Sequence, residues 1–368
     1  ATLIFGSTVG RQALIVDART YPARETAEPE NDRVMRGARD GFVETLIFNT
    51  ALIRRRIRDV TLTMHYESAG KASKSDLVLC YMSDRADPKL VEYLKKRIRS
   101  LKTDALTMGH ESLAESLIHT RWYNPFPKIR YTERPDTAAA QLLEGSVILL
   151  LDNSPSAMIL PTSIFDFLQE SNDYYLPPFT GTYLRVVRHI VLWLTLFLTP
   201  LWFLGTKNPA QVPEWLQFAL PAETGKLPIL LQLLLTEFII DGLRMASMNT
   251  PDMLANSLSV VGGLILGDFA VSVGWLIPEV ILYMAFVAIA NFTQNSFELG
   301  YALKFLRILL LFLVALFGGW GFLAGVVVIL LLMVSNRTVN GGHSYLYPWI
   351  PFNPRSLRAL YTRRRKRT

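Results

Sequence analysis

The sequence predicts a cytoplasmic α/β domain followed by an α-helical, polytopic membrane domain, and three observations predict it. From Ala1 to about residue 178, charged and apolar residues intermix as they do in a chain that buries its own core. From residue 179 to Arg337, long apolar runs take over, although charged residues make up 19 % of the whole chain. Within the first part, strand-like and helix-like periodicities alternate, the pattern of an α/β domain with a mixed sheet. The expected division is therefore 1–178 (two lobes, about 1–122 and 123–178), a membrane domain over 179–337 and a basic cytoplasmic tail over 338–368. The chain opens on the apolar run Ala1-Thr-Leu-Ile-Phe5 without an initiator Met, and upstream sequence is expected.

In the α/β part, Leu14–Val16 reads as a short strand ended by the Tyr21-Pro22 turn. Phe42, Leu46, Asn49, Ile53 and Ile57 recur at helical spacing, with Asp40 placed as an N-cap. Alternation over Thr61–Tyr66 and the fuller apolar run Asp76–Tyr81 predict two strands, the second buried on both faces. Pro88–Arg99 is an amphipathic helix with Leu90, Val91, Leu94 and Ile98 on one side. Pro135 starts another helix, which Gly145 stops. Val147–Leu151 and Ala157–Leu160 are strands, and Thr162-Ser163 caps a short helix from Ile164 to Gln169.

Beyond residue 179, four crossings are expected, at Leu184–Leu204, Ser257–Ile277, Glu279–Phe292 and Phe305–Val334. The last is the strongest. Arg185, Arg188 and His189 at the first crossing place the α/β domain on the cytoplasmic side. Leu227–Met248 is apolar but carries Glu237, Asp241 and Arg244 on one helix face, and is expected to be an embedded or interfacial amphipathic helix rather than a fifth crossing. That face either meets water at the interface or lines a wet cavity or pore, because ionisable groups inside a membrane are costly unless watered or paired. Asp268 sits near the middle of its apolar segment. Gly263 with Gly267, and Gly321 with Gly325, have the small-x-x-x-small spacing that lets helices approach closely. Pro278 breaks one segment into a helical hairpin or a broken helix.

The formal net charge is +7, and much of it lies in Arg54-Arg55-Arg56 and Arg363–Arg367. Beside apolar spans such clusters fit anionic lipid rather than nucleic acid, for which no motif is present. Glu44 with Arg54, Arg55 and Arg56, and Glu133 with Arg134, are expected to make structural or inter-subunit contacts. One cysteine, Cys80, excludes an intrachain disulfide, and the five histidines show no metal spacing. No G-x-S-x-G, H-E-x-x-H, P-loop or dinucleotide fingerprint is present, so neither an enzyme nor a cofactor is indicated.

Gly37-Ala-Arg-Asp-Gly-Phe-Val-Glu-Thr-Leu46 with Asn49–Arg58, Asn124-Pro-Phe-Pro127, Tyr131–Asp136, Leu142–Gly145, Asp173-Tyr-Tyr175 and Val260–Gly263 resemble the blocks of the spore germination receptor A-subunit family. Tyr21-Pro22, Leu201–Phe203, Leu243–Ala246, Pro278–Tyr283 and Pro351–Asn353 are more similar to a sporulation-protein branch of that family than to its nutrient-receptor subunits. The resemblance implies a multi-pass protein of the bacterial endospore inner membrane. It also implies a homo-oligomeric, pentameric ion channel that releases cations during germination, together with a small membrane partner and other germination receptor subunits. Many family members carry Gln where this chain has Asp268. In a symmetric ring, Glu237, Asp241 or Asp268 would form a carboxylate ring that favours cations; otherwise Asp268 hydrogen-bonds a neighbouring helix within one protomer, and Glu237 and Arg244 pair at the lipid interface. The alternatives are a non-conducting scaffold that gathers germination proteins, or a transport component for a small anion such as dipicolinate. A transporter is disfavoured by the lack of internal repeats.

Overall fold

The structure is a computed structural model that describes residues 2–4, 14–16, 24–29, 32–118, 121–222, 225–249, 260, 262–263, 267, 269–294, 296–339 and 344–362. Asp268 and the Arg363–Arg367 run therefore lie outside the described residues, as does much of the Ser257–Ile277 segment.

Strands β1 (Thr2–Ile4) and β2 (Leu14–Val16) pair antiparallel as a separate two-stranded sheet. Five further strands form the central sheet: β3 (Leu62–Ala69), β4 (Ser75–Met82), β5 (Arg130–Thr132), β6 (Val147–Leu151) and β7 (Ala157–Leu160). Their order is β3-β4-β6-β7-β5. Every ladder is antiparallel, so the expected mixed sheet is corrected. The helices cover the sheet faces without serving as right-handed crossovers between parallel neighbours. Because β4 pairs with β6, one sheet takes strands from both sides of residue 122, and the two expected lobes share a core.

The two-residue period of the strands sorts their side chains into two layers. Leu77, Leu79, Val147, Leu149, Leu151, Met158 and Leu160 point toward α2 (Pro88–Arg99) and α3 (His110–Leu117). Val78, Cys80, Ile148, Leu150 and Ile159 point toward α1 (Leu46–Arg56) and α4 (Pro135–Leu143). Helix α1 starts later than its periodicity predicts. Its first turn is capped from outside by Asp152, whose carboxylate accepts from the Leu46 N–H at 3.1 Å. Asp40 does not cap it but holds Arg56 at 2.5 Å and Arg55 at 3.4 Å. Asp87 caps α2 as its position before Pro88 implies.

A short helix α5 (Asn172–Tyr175) leads into α6 (Pro178–Lys207). The apolar layer continues with α7 (Ile229–Asn249), α8 (Pro278–Phe292) and a 39-residue helical segment α9 (Phe297–Ser335). Segments Pro178–Lys207 and Phe297–Ser335 are long and apolar enough to cross a membrane. As one straight helix, the second would be about 58 Å long, nearly twice a hydrocarbon core of about 30 Å. It is not straight. Gly318 leaves helical geometry at φ 59° and ψ −132°. Beyond it, a Cβ on Gly321 would run into the Leu313 carbonyl, and one on Gly325 into the Leu310 side chain. Residues eight to fifteen apart meet only if the chain folds back, so the expected single span Phe305–Val334 is a hairpin of two arms. Gly321 and Gly325 stand where the arms touch. By contrast, a Cβ on Gly263 or Gly267 would meet nothing within 4 Å.

The contacts fix the helix directions. Lys207, at the far end of α6, donates to the Val314 and Ala315 carbonyls at 3.3 and 2.5 Å. It thereby satisfies orphan groups at the end of the first arm with a favourable charge. The second arm returns to the α/β domain, where Asn124 donates to the Leu332 carbonyl at 3.0 Å and Asn336 to the Phe126 carbonyl at 3.4 Å. A C-terminal helix, α10 (Pro354–Tyr361), packs Tyr361 against His189 of α6, with ring centroids 4.7 Å apart.

Candidate functional site: charges paired inside the helical layer

Helix α7 buries Gln232, Leu233, Thr236 and Glu237 against the other helices. Its start is fixed by Gln232, whose side chain donates to the Leu227 carbonyl at 2.7 Å and accepts from the Ile277 N–H at 2.9 Å. From that anchor α7 runs antiparallel to the first arm of α9. Leu233 packs in the same cluster as Trp202 and Phe203, at the end remote from the α/β domain. Arg244 lies at the opposite end, near Phe297 and Tyr301.

This antiparallel register brings Glu237 and Asp241 beside Lys304 and Arg307. The acids are four residues apart and the bases three, so each pair occupies one face of its own helix. Arg307 donates through Nε to Glu237 Oε1 at 2.8 Å, and its Nη2 reaches the same oxygen. Its Nη1 donates to the Thr195 carbonyl of α6 at 2.9 Å. Lys304 binds Asp241 and lies 3.7 Å from Glu237 Oε2. Two carboxylates and two cations thus form a net-neutral cluster tying α6, α7 and α9. Glu237 has only 6 % of its side chain exposed, whereas Asp241 keeps 32 %.

Read from the sequence, the acids of α7 face water, line a pore or pair with Arg244 at the lipid interface. Within one chain, Glu237 does none of these, because Arg307 neutralises it. Arg244 does not join the acids; its guanidinium lies 5.2 to 5.4 Å from the ring centroids of Phe292, Phe297 and Tyr301. Lys304 and Arg307 were missed as partners. The available signal was an arginine inside the most apolar run of the chain, which requires an intramembrane partner as strongly as an isolated carboxylate does.

A second charged set joins α6 to the α/β domain. Arg188 donates to the Leu168 carbonyl at 2.9 Å, pairs with Asp173 at 2.9 Å and binds Glu170. Arg185 lies 3.4 Å from the same fully buried Asp173, and its guanidinium sits over the Tyr174 ring at 4.7 Å. The basic residues at the start of α6 therefore serve the junction rather than standing free for lipid.

The other expected contacts regroup. Glu44 pairs with Arg24 at 3.5 Å, while Arg54 donates to the Leu62 carbonyl at 2.9 Å. Arg134 is fully buried, and its carboxylate partner is Asp136 at 2.7 Å rather than Glu133. Arg134 also donates to the Asp32 and Ala38 carbonyls. The side chain of Glu133 is not what holds Arg134; its backbone carbonyl accepts from the Phe42 N–H at 2.8 Å. Burial works against ionisation of Asp136, but hydrogen bonds from Arg134 and Tyr175 outweigh it and hold the carboxyl below its usual range. Among the described residues, no group of three His, Cys, Asp or Glu side chains is placed to hold a metal ion.

Fold and cluster together define a class: an α/β domain pinned to an apolar helical layer that carries its own neutralised charges. The chain belongs to the GerA family, since the family model described as Bacillus/Clostridium GerA spore germination protein matches residues 1–368. It is 43 % identical to stage V sporulation protein AF of Bacillus subtilis, over 96 % of this chain and 71 % of that protein. It is 32 % identical to the uncharacterized membrane protein YfkQ of the same organism, over 96 % of this chain and 68 % of that one. Spore germination protein KA of Bacillus subtilis is 27 % identical over 94 % of this chain, which spans 64 % of that relative's length. Among solved structures, the N-terminal domain of the A subunit of the Bacillus megaterium spore germinant receptor GerK3 is 34 % identical. That match covers 32 % of this chain and 93 % of the solved one, with a TM-score of 0.27. Two of these relatives are thus a sporulation protein and a spore germination protein by name.

Proposed function

We propose that this chain is a subunit of a homo-oligomeric, pentameric ion channel in the endospore inner membrane that promotes cation release during germination. The observation that carries the reading is the Glu237–Asp241–Lys304–Arg307 cluster inside an apolar helical layer. Charges are kept at such depth where they serve an ion path or hold a helix register. Glu237, locked by Arg307, which α6 holds in turn through the Thr195 carbonyl, holds the register. Asp241 is the half-exposed member and, with Asp268, is the carboxylate offered to the ion path. In this arrangement α6, α7, α8, both arms of α9 and the expected Ser257–Ile277 crossing lie across the bilayer, an even number that leaves the α/β domain and the basic tail on one side, toward the spore core. A small membrane partner and other germination receptor subunits complete the assembly, and anionic lipid surrounds it.

The intra-chain pairing of Glu237 favours one second reading, a non-conducting scaffold in which the cluster only fastens helices. Cation efflux from germinating spores carrying Asp241→Asn, Asp268→Asn or Glu237→Gln, at matched protein level, separates the two. Altered selectivity or loss of efflux with Asp241→Asn or Asp268→Asn supports the channel. If efflux is unchanged in both variants but slows when the whole protein is deleted, the scaffold reading stands.

A further inference from the structure

The turn Arg121–Asn124 closes through the Asn124 N–H to the Arg121 carbonyl at 3.0 Å. It presents two aromatic rings to the outside. Trp122 is 96 % exposed and Tyr123 50 %, and the rings meet edge to face with centroids 6.0 Å apart. A scattered surface apolar residue needs no explanation, but this pair has a fixed height on the molecule. The Asn124 side chain donates to Leu332, and Asn336 donates to Phe126. The two rings are thereby held level with the last turn of the returning arm of α9, where an apolar helix leaves hydrocarbon.

A second exposed apolar group stands at the same end. Tyr345 packs on Phe126 with centroids 6.1 Å apart, and the chain following it exposes Trp349, Ile350 and Phe352. Arg121 borders the first group, and Arg355 borders the second. Aromatic side chains with one polar edge, flanked by arginines at the end of an apolar helix, match the chemistry of the headgroup layer. Two aromatic, arginine-flanked groups at one level beside the end of an apolar helix fit the plane of a headgroup layer.

We propose that the Trp122–Tyr123 turn and the Trp349–Phe352 loop dip into the phosphate headgroup layer of the leaflet on the α/β side. They would hold the α/β domain against the bilayer. The proposal rests on the reading that the helical layer spans a membrane, and the test keeps the two apart.

The full chain, reconstituted in phosphatidylglycerol vesicles, carries one introduced cysteine labelled with bimane, and spin-labelled lipids serve as quenchers. Burial pushes the Cys80 thiol up to about 12, so the native cysteine stays unlabelled. Three positions are compared: Trp122→Cys, with Tyr123→Cys as a second reporter should one substitution disturb the turn; Leu330→Cys on the exposed face of α9; and Ala72→Cys in the β3–β4 hairpin, at the sheet end away from the helices. The expected result is quenching by headgroup-labelled lipid at 122 or 123, quenching by chain-labelled lipid at 330, and none at 72. If 330 is quenched while 122 and 123 behave like 72, the headgroup contact is refuted and the membrane reading survives. If 330 is also unquenched, both fall.

Discussion

Replacing Glu237 with Gln removes the carboxylate that takes two donor contacts from Arg307. Arg307 is almost wholly buried and keeps only the Thr195 carbonyl as a firm partner, while Lys304 remains neutralised by Asp241. Leaving one buried charge without its counter-charge costs roughly 3–5 kcal/mol. That is a drop of about a hundredfold to several thousandfold in the folded-to-unfolded ratio. The assay is unfolding of the purified full chain in mixed micelles, followed by circular dichroism as the denaturing detergent fraction rises. The double variant Glu237→Met with Arg307→Leu removes both charges at similar volume and is expected to lie within about 1–2 kcal/mol of the parent, because well-packed apolar replacements of buried pairs are often neutral. A single variant as stable as the parent, or a double variant as unstable as the single one, would refute the assignment of Glu237 as a register pin.

Three further outcomes follow from other parts of the molecule. Asp173→Asn leaves Arg185 and Arg188 without their shared buried carboxylate and is expected to loosen the junction, read as faster limited proteolysis between residues 169 and 178. Gly318→Ala forces a side chain into a positive-φ conformation at an expected cost of about 1–3 kcal/mol, and Gly325→Leu drives a side chain into Leu310. Both should lower the detergent-unfolding midpoint, and an unchanged midpoint in both would argue against the hairpin. His110 is pushed down from 6.5 to about 4 by burial, so above pH 6.5 it is neutral in both states and contributes nothing to pH dependence. As pH falls from 6.5 toward 4, the unfolded chain takes up a proton that the fold refuses, and stability drops by about 3 kcal/mol. His110→Gln should flatten that slope in acid titrations of unfolding; an unaltered slope would count against it.

The neutralised cluster changes how the acids of α7 are read. A carboxylate seen alone in an apolar run suggests a pore, and two of them one turn apart suggest a ring of charges around an axis. Once Arg307 and Lys304 are placed opposite, the simplest role for Glu237 is to set the register of three helices, as a buried polar group does in a coiled coil. Asp241 differs only because it lies nearer the edge of the same contact.

Local periodicity by itself determined most of the α/β domain. Val147–Leu151, Ala157–Leu160 and Pro88–Arg99 begin and end where continuous apolar runs, turn residues, capping and proline place them. The apolar character of α6 and α9 was equally legible, since composition over twenty residues needs no partner to be seen. The short strand β5 and the helix α3 were not, as Arg130-Tyr-Thr132 and the region around His110 carry little periodic signal and are held by their neighbours. Tertiary structure alone decided the remainder. Strand order depends on which hydrophobic faces meet, not on any one strand's pattern. The fold-back at Gly318 depends on two apolar arms preferring each other, and a run of apolar residues reads the same whether straight or bent. The partners of Glu237, Arg134 and Arg188 depend on which helices lie alongside, because charge is visible in a sequence but the distance over which it acts is not.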